Sequence, residues 1–243
     1  MTRLTTCPDA ETVAARAVTH IMGTVERAVS ERGVAHLAVS GGTTPGRTYE
    51  LLRDSGADLA SVELWFADER CVAPDDEQSN YKLAVETLLD GSEIAPERVH
   101  RMGGELGPDE GAERYAEQLR GRLGSDEEPS GGPPVLDLVV LGIGPDGHVA
   151  SLFPGASTLD AGEEAICLGV RDSPKPPPER ITLSLAVLRA ARGCLLIATG
   201  AGKADAINAM LGEPSRHVPA SLLARERLTV IVDDAAAPDG PRP

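Results

Sequence analysis

The chain has 243 residues, 41% of them hydrophobic, a length that fits one large α/β domain or two small ones. Its formal net charge of −15 argues against nucleic acid and against an anionic membrane surface as partners, because both need a basic patch. With only 2% aromatic residues, the chain also lacks a platform on which nucleic-acid bases could stack. The four cysteines are scattered without a C-x-x-C pair, which indicates free thiols rather than a zinc site or a disulfide framework.

The N-terminal residues lack the apolar segment of a signal peptide, and no apolar run approaches the ~20 residues of a membrane span. We therefore expect a cytoplasmic protein. We also expect a single domain over residues 1–243, because the strand that follows the longest polar stretch continues a sheet already begun.

The first predicted elements are a helix, a strand and a second helix. Asp9 can cap a helix that ends near Gly33, since its apolar residues recur four positions apart. A short strand, His36–Val39, leads to the turn S-G-G-T-T-P, and Pro45 suits the first turn of a helix through Leu52. A glycine turn that opens a helix offers N–H groups and the positive end of the helix dipole to a phosphate. We predict a phosphate cradle here, with an ordinary β–α turn as the alternative. Its residues are Ser40, Gly41, Gly42, Thr43 and Thr44.

The same stretch, Gly41–Thr48, nearly matches the nucleotide P-loop pattern. Pro45 removes an N–H from the middle of the cradle, Arg47 replaces the lysine, and no strand ends in a convincing magnesium-binding Asp. The sequence therefore favours a monophosphate over a nucleotide.

A second strand, Val62–Ala67, ends in three charged residues, Asp68, Glu69 and Arg70. Three adjacent charges are usually a solvated loop. In a parallel sheet, however, they lie at the same edge as the glycine turn, so we predict functional roles for Asp68 and Arg70 and leave Glu69 open.

The middle of the chain is less informative. Ser79 or Asn80 can cap a helix through Leu89, a short strand is predicted near Val99, and a helix spans about Pro108 to Leu123. Residues 124–134 have the composition of an exposed loop, and residues 234–243 that of a flexible tail.

The stretch Pro134–Pro154 carries the strongest signal. An apolar run typical of a strand buried on both faces is followed by Gly142, Gly144 and Gly147, which present Asp146 and His148 at the strand's carboxyl end. The glycine spacing also matches the dinucleotide fingerprint, but Pro154 leaves no room for the helix that this fingerprint requires. His148 is therefore the candidate general base, because a neutral imidazole accepts a proton from water at pH 7. The other histidines are predicted to be packed or exposed, except that His217 could line the site or merely cap it.

Further β–α alternation completes the fold. The predicted elements are a strand at Ala165–Val170, a proline-rich loop, Ile181–Leu183 with a helix from Ser184, a strand at Cys194–Ala198, a turn at Gly200–Lys203, a short helix near Ser221 and a strand at Leu228–Val232. This order predicts a doubly wound, mostly parallel, Rossmann-like α/β sheet with helices on both faces. In so acidic a chain, a local pocket for an anion needs cations, and the candidates are Arg70, Lys175, Arg180 and Lys203.

Five segments together resemble the 6-phosphogluconolactonases, in the family's order from Ser40 onward. They are S-G-G-T-T-P (40–45), D-E-R (68–70), G-I-G-P-D-G-H-V-A-S-L-F-P (142–154), P-K-P-P-P-E-R-I-T (174–182) and G-A-G-K (200–203). The resemblance implies a fold shared with glucosamine-6-phosphate deaminases. It also implies a hydrolase of the oxidative pentose phosphate pathway that uses no metal or other cofactor and acts on the small molecule 6-phospho-D-glucono-1,5-lactone. Separately, we expect the protein to be a monomer.

The resemblance also implies roles for the candidate residues. His148, with Asp146 beside it, would activate the water that attacks the lactone carbonyl. Asp68 would bind sugar hydroxyls or orient a cation.

The cations would divide between the two ends of the substrate. Arg180 and Lys203 would hold the 6-phosphate together with the Ser40–Thr44 turn. Arg70 and Lys175 would polarise the lactone or also contact the phosphate.

Two rival functions fit the same fold. A deaminase resembles G-H-x-A-F-N-E-P after the histidine, whereas here Ser151–Pro154 has no carboxylate, which favours the lactonase. A sugar-phosphate sensor would carry a DNA-binding domain, and we expect none ahead of the first helix.

Overall fold

The computed structural model of the protein describes residues 2–123 and 132–238. The strands are β1 (Arg3–Cys7), β2 (Ala35–Val39), β3 (Val62–Phe66), β4 (Asp68–Arg70), β5 (Leu138–Leu141), β6 (Cys167–Val170), β7 (Arg180–Leu183), β8 (Cys194–Ala198) and β9 (Leu228–Asp233). The α-helices are α1 (Ala10–Arg32), α2 (Thr43–Asp54), α3 (Asn80–Ala84), α4 (Pro108–Leu123), α5 (Leu185–Ala190) and α6 (Ala204–Leu211). Of the predicted loop 124–134 and tail 234–243, residues 124–131 and 239–243 lie outside the described residues.

Six strands form a parallel sheet in the order β1-β9-β8-β5-β2-β3, which confirms the predicted doubly wound α/β fold class. From β2 the chain moves outward to β3, and from β5 it moves the opposite way through β8 to β9. The connections therefore diverge between β2 and β5, and a crevice opens beyond the carboxyl ends of these two strands. Open α/β sheets bind their ligands at such a switch point.

Local sequence signals explain the elements around this crevice. Asp9 caps α1 by accepting a hydrogen bond from the Thr12 N–H at 2.7 Å, and Gly33 ends the helix with φ 77°. Strands β5 and β8 are buried along their whole length, as expected for the centre of a parallel sheet. Helices α1 and α2 pack against each other and on the sheet.

A second, antiparallel sheet in the order β4-β7-β6 was not predicted. Residues 68–70 are a strand rather than a solvated loop, and Asp68 and Glu69 are buried. The strand predicted at Ala165–Val170 exists as β6, but it pairs in this small sheet and not in the parallel one. Short charged strands escape prediction because their pairing is set by tertiary contacts and not by hydrophobic periodicity.

Three smaller differences have local causes. Strand β1 was not predicted, since its sequence R-L-T-T-C is short and half polar. The strand predicted near Val99 is a single bridge to Leu64. The helix that begins at Asn80 changes to π-helical geometry over Val85–Leu89. Among the described residues, no helix is long and apolar enough to span a membrane.

Replacing Val140 by Ala tests the buried centre of the parallel sheet. Val140 in β5 is fully buried, so its truncation should lower the free energy of unfolding by about 2 kcal/mol, as measured by urea denaturation. Val135 shortly before it is 38% exposed, and the matched change Val135→Ala should cost less than about 0.5 kcal/mol. Equal losses in the two variants would contradict this placement of the core.

Candidate active site

An open cleft of about 320 Å³ lies at the carboxyl ends of β2 and β5. The two strand ends are joined directly, because the Ser40 hydroxyl accepts a hydrogen bond from the Gly142 N–H at 3.3 Å. All predicted site residues except Asp146 line the cleft: Ser40, Gly41, Gly42, Thr43, Thr44, Asp68, Arg70, His148, Lys175, Arg180 and Lys203. Asp146 contacts the cleft through its hydrogen bond to His148.

The turn after β2 is fixed before any ligand binds. Gly42 has φ 118°, a conformation that favours glycine, and the helix α2 begins at the next residue. The buried Tyr49 hydroxyl accepts from the Ser40 N–H and donates to the Ser40 carbonyl, both at 3.0 Å. Burial raises the pKa of Tyr49, so this hydroxyl stays protonated. The first residues of α2 thus line the cleft in a rigid frame, as an anion site requires.

A second glycine turn, after β8, contributes Lys203. The Thr44 and Thr199 hydroxyls lie 2.8 Å apart and join the two turns. Lys203 donates from Nζ to the Ile143 carbonyl at 2.6 Å, which aims it at the loop after β5. Burial lowers the pKa of Lys203, and the nearby Lys175 lowers it further. A bound anion would relieve both effects, so this position favours one.

His148 and Asp146 form a close pair, with Nδ1 of the imidazole 2.5 Å from Oδ1 of the carboxylate. A carboxylate only accepts, so Nδ1 carries the proton and Nε2 holds the free lone pair. Gly144 leaves the space for this pair, because a Cβ there would lie 2.0 Å from His148 Nδ1. Burial lowers the pKa of His148, and Asp146 partly opposes this. His148 is thus a neutral, oriented base near pH 7.

Lys175 is the cation closest to this pair. Its Nζ lies 3.3 Å from His148 Nδ1 and 3.4 Å from Asp146 Oδ1. Burial alone would raise the pKa of Asp146, but the hydrogen bond from His148 and the charge of Lys175 lower it overall. The carboxylate therefore stays ionised and keeps its proton-accepting role toward Nδ1.

The small sheet delivers two arginines to the cleft. Arg70 in β4 and Arg180 in β7 are directly opposite each other in the antiparallel pair. Arg180 is 5% exposed, and its guanidinium donates to three backbone carbonyls at 3.1 to 3.2 Å. Burial lowers the pKa of Arg180, and the charge of Asp68 opposes the decrease. Like charges opposite each other on a sheet repel, which makes an anion between them favourable.

Two residues that hold Asp68 in place were not predicted to do so from the sequence. Asn80 lines the cleft and donates from Nδ2 to the Asp68 carboxylate at 3.1 Å and to the Asp68 carbonyl at 2.8 Å. Ser151 donates to the other carboxylate oxygen of Asp68 at 2.7 Å. Asp68 is thereby held from both sides. Asn80 was recognised only as a helix cap, and no local pattern links it to residue 68.

The structure assigns Glu69 to the fold. Its buried carboxylate accepts hydrogen bonds from the N–H groups of Asn80 and Tyr81 and from the Ser79 hydroxyl, at 2.7 to 3.1 Å. It therefore anchors the start of α3 and not a ligand.

The remaining histidines described here lie elsewhere. His36 and His100 contact Trp65, one by accepting its indole N–H and the other by stacking on it. His217 is exposed and does not line the cleft. His148 alone of the five is placed to act in it.

A family model described as "Glucosamine-6-phosphate isomerases/6-phosphogluconolactonase" matches residues 8–232. The chain belongs to this family. Within it, the 6-phosphogluconolactonase of Streptomyces coelicolor is 37% identical over 244 residues, which cover 96% of this chain and 91% of that protein.

Solved structures share the fold of this chain. The 6-phosphogluconolactonase from Leishmania guyanensis matches with a TM-score of 0.84 and 28% identity, over 97% of each chain. A monomeric glucosamine-6-phosphate deaminase matches with a TM-score of 0.79 and 23% identity, over 96% of this chain and 98% of that one. The fold is therefore common to both activities, and the side chains of the cleft must separate them.

Replacing Asp146 by Asn tests the hydrogen-bonded pair of His148 and Asp146. Since the carboxylate favours the imidazolium, its removal should lower the His148 pKa further, measured by NMR titration of the imidazole. Asp160→Asn, which breaks only an exposed pair with Arg216, should leave that pKa unchanged. A rise in the Asp146→Asn variant would contradict the pairing.

Replacing Gly41 by Ala tests the rigidity of the Ser40–Thr44 turn, which we call the anion turn. The new Cβ would lie 1.9 Å from Oδ1 of the buried Asn80, so the free energy of unfolding should fall by about 1–3 kcal/mol in urea denaturation. The matched change Gly202→Ala in the second turn meets no atom within 4 Å and should be close to neutral. Equal stability of the two variants would show that the turn yields easily.

Proposed function

We propose that the protein hydrolyses 6-phospho-D-glucono-1,5-lactone to 6-phospho-D-gluconate, a step of the oxidative pentose phosphate pathway. The observation that carries this proposal is the oriented, neutral His148 paired with Asp146, within a cleft lined by four cations. Such a cleft suits a substrate with one phosphate and one carbonyl that water can attack. The names of the relatives agree with it.

The chemistry begins at His148. Nε2 accepts a proton from a water molecule as that water attacks the lactone carbonyl carbon, and the imidazolium that forms is stabilised by Asp146 at Nδ1. General-base catalysis of this kind contributes roughly 10²–10⁴ in rate. The lactone is an activated acyl group, so the attack needs no metal ion.

The tetrahedral intermediate carries a negative charge on the former carbonyl oxygen. Lys175, next to the base, and Arg70 are the cations that can stabilise this oxyanion. Collapse of the intermediate breaks the bond to the ring oxygen, which leaves with a proton. The cleft offers two acids for this transfer, the imidazolium of His148 and the ammonium of Lys175.

The 6-phosphate belongs at the two glycine turns. The Ser40–Thr44 turn supplies backbone N–H groups, and Lys203 lies in the turn that the Thr44–Thr199 contact joins to it. Arg180 lies opposite Arg70 in the small sheet and interacts with the charges of Asp68, Arg70 and Glu69, so it adds positive charge to this wall of the cleft. Asp68, held by Ser151 and Asn80, is an acceptor for sugar hydroxyls.

Deamination of an amino-sugar phosphate is the rival within the fold. That reaction moves a proton at carbon, and the deaminases resemble a pattern with a carboxylate in the segment just after the histidine. In the segment Ser151–Pro154, the side chain next to His148 is the ring of Phe153. The geometry therefore favours the lactonase. The residues assigned to these roles line or contact a single cleft, and we propose that the protein acts as a monomer.

The purified protein should accelerate hydrolysis of the lactone above the spontaneous rate with EDTA present. His148→Ala should lower kcat about 10²–10⁴-fold, because the water loses its base. His217→Ala, at an exposed histidine outside the cleft, should retain wild-type kcat/KM.

Two outcomes would contradict the proposal. Wild-type kcat/KM in His148→Ala would remove the general-base role. Release of ammonia from glucosamine 6-phosphate, without lactone hydrolysis, would favour the deaminase.

A further inference from the structure

The ring of Phe153 is buried in an unusual place. It is 3% exposed, yet it lies outside the cluster of side chains that forms the hydrophobic core. Its ring centroid is 4.7 Å from that of the His148 imidazole, with the planes tilted by 40°. On the same ring, the Arg180 guanidinium carbon lies 5.7 Å from the centroid. Phe153 therefore contacts the candidate base and a cation of the cleft.

The other phenylalanine of the chain shows what a purely structural ring does. Phe66, at the end of β3, belongs to the core cluster and packs edge to face against Tyr81. The ring of Phe153, in contrast, contacts two polar residues that the proposed mechanism uses. Aromatic rings attract both an imidazole and a guanidinium, so these contacts fix the orientation of each.

We propose that Phe153 is a positioning residue whose buried ring holds the His148 imidazole in its orientation and shields it from water. This inference rests on the proposed function, in which His148 must be neutral with Nε2 directed at the attacking water. The hydrogen bond to Asp146 holds the Nδ1 edge of the imidazole. Contact with the Phe153 ring restricts rotation of the imidazole about its Cβ–Cγ bond.

The charges that face His148 come from three parts of the fold. Asp146 lies on its own loop, Lys175 on the segment before β7, and Asp68 on β4. Asp146 and Asp68 raise the pKa of the imidazole, whereas Lys175 lowers it. Burial is the largest influence on this pKa and lowers it, so the apolar ring next to the imidazole favours the neutral form.

The test compares Phe153→Leu with Phe66→Leu, the same change at the two phenylalanines. The His148 pKa is measured by NMR titration of the ligand-free protein, with the His148→Ala spectrum for assignment. The pH profile of kcat/KM for lactone hydrolysis and the Tm are measured in parallel. If Phe153→Leu does not fold, Phe153→Met replaces it, since methionine keeps the apolar volume but lacks the flat ring.

In folded Phe153→Leu, water reaches the imidazole, so its pKa should rise by about 0.5 unit and the acidic limb of the pH profile should move with it. At pH values where His148 is fully neutral, kcat should still fall about 3- to 10-fold, because the ring is less well oriented. Phe66→Leu should lower the Tm while leaving the His148 pKa and the pH profile unchanged.

An unchanged His148 pKa in the folded Phe153 variant, with a pH profile like that of the wild type, would overturn the positioning role. The NMR titration needs no substrate, so it separates this inference from the proposed function. A wild-type protein that does not hydrolyse the lactone would refute the function, whereas the pKa comparison would still decide the role of Phe153.

Discussion

The divergence of the chain between β2 and β5 is the constraint on which the site depends. These strands are neighbours in the parallel sheet, but the connections that follow them leave in opposite directions. No helix can therefore cover the crevice between their carboxyl ends. The anion turn occupies one side of this crevice, the loop with His148 occupies the other, and the Ser40 to Gly142 hydrogen bond joins them.

The small antiparallel sheet supplies positive charge to the cleft of an otherwise acidic protein. A chain with a net charge of −15 repels an anionic ligand at long range, so the cleft must concentrate cations locally. Strands β4 and β7 do so by placing Arg70 opposite Arg180 at the crevice. Partial burial strengthens their attraction for an anion, since the effective dielectric constant is lower than in water. Asp68, fixed by Asn80 and Ser151, limits the repulsion between the two guanidinium groups.

The sequence predicted those parts of the fold and site that are encoded locally. Apolar runs followed by glycine turns identified β2, β5 and β8 with the residues at their ends, and the resemblance joined them into one site. Strand β4 was missed as a strand because D-E-R has no hydrophobic alternation and gains its order by pairing with β7. The contact between Asn80 and Asp68, twelve residues apart, arises from a turn that no periodicity reveals. The sequence also does not distinguish Phe153 from an ordinary core residue, because its contact with His148 appears only in the structure.

Two buried tyrosines perform the same task at neighbouring strand ends. Tyr49 bonds both backbone groups of Ser40, and Tyr115 bonds both backbone groups of Phe66, with distances of 2.7 to 3.1 Å. At Ser40 this means that the anion turn loses its conformational freedom when the protein folds rather than when a ligand arrives. Binding then carries little ordering entropy, so more of the contact energy appears as affinity. The Tyr49 hydroxyl thus increases ligand affinity by pre-organising the anion turn, although Tyr49 itself does not line the cleft.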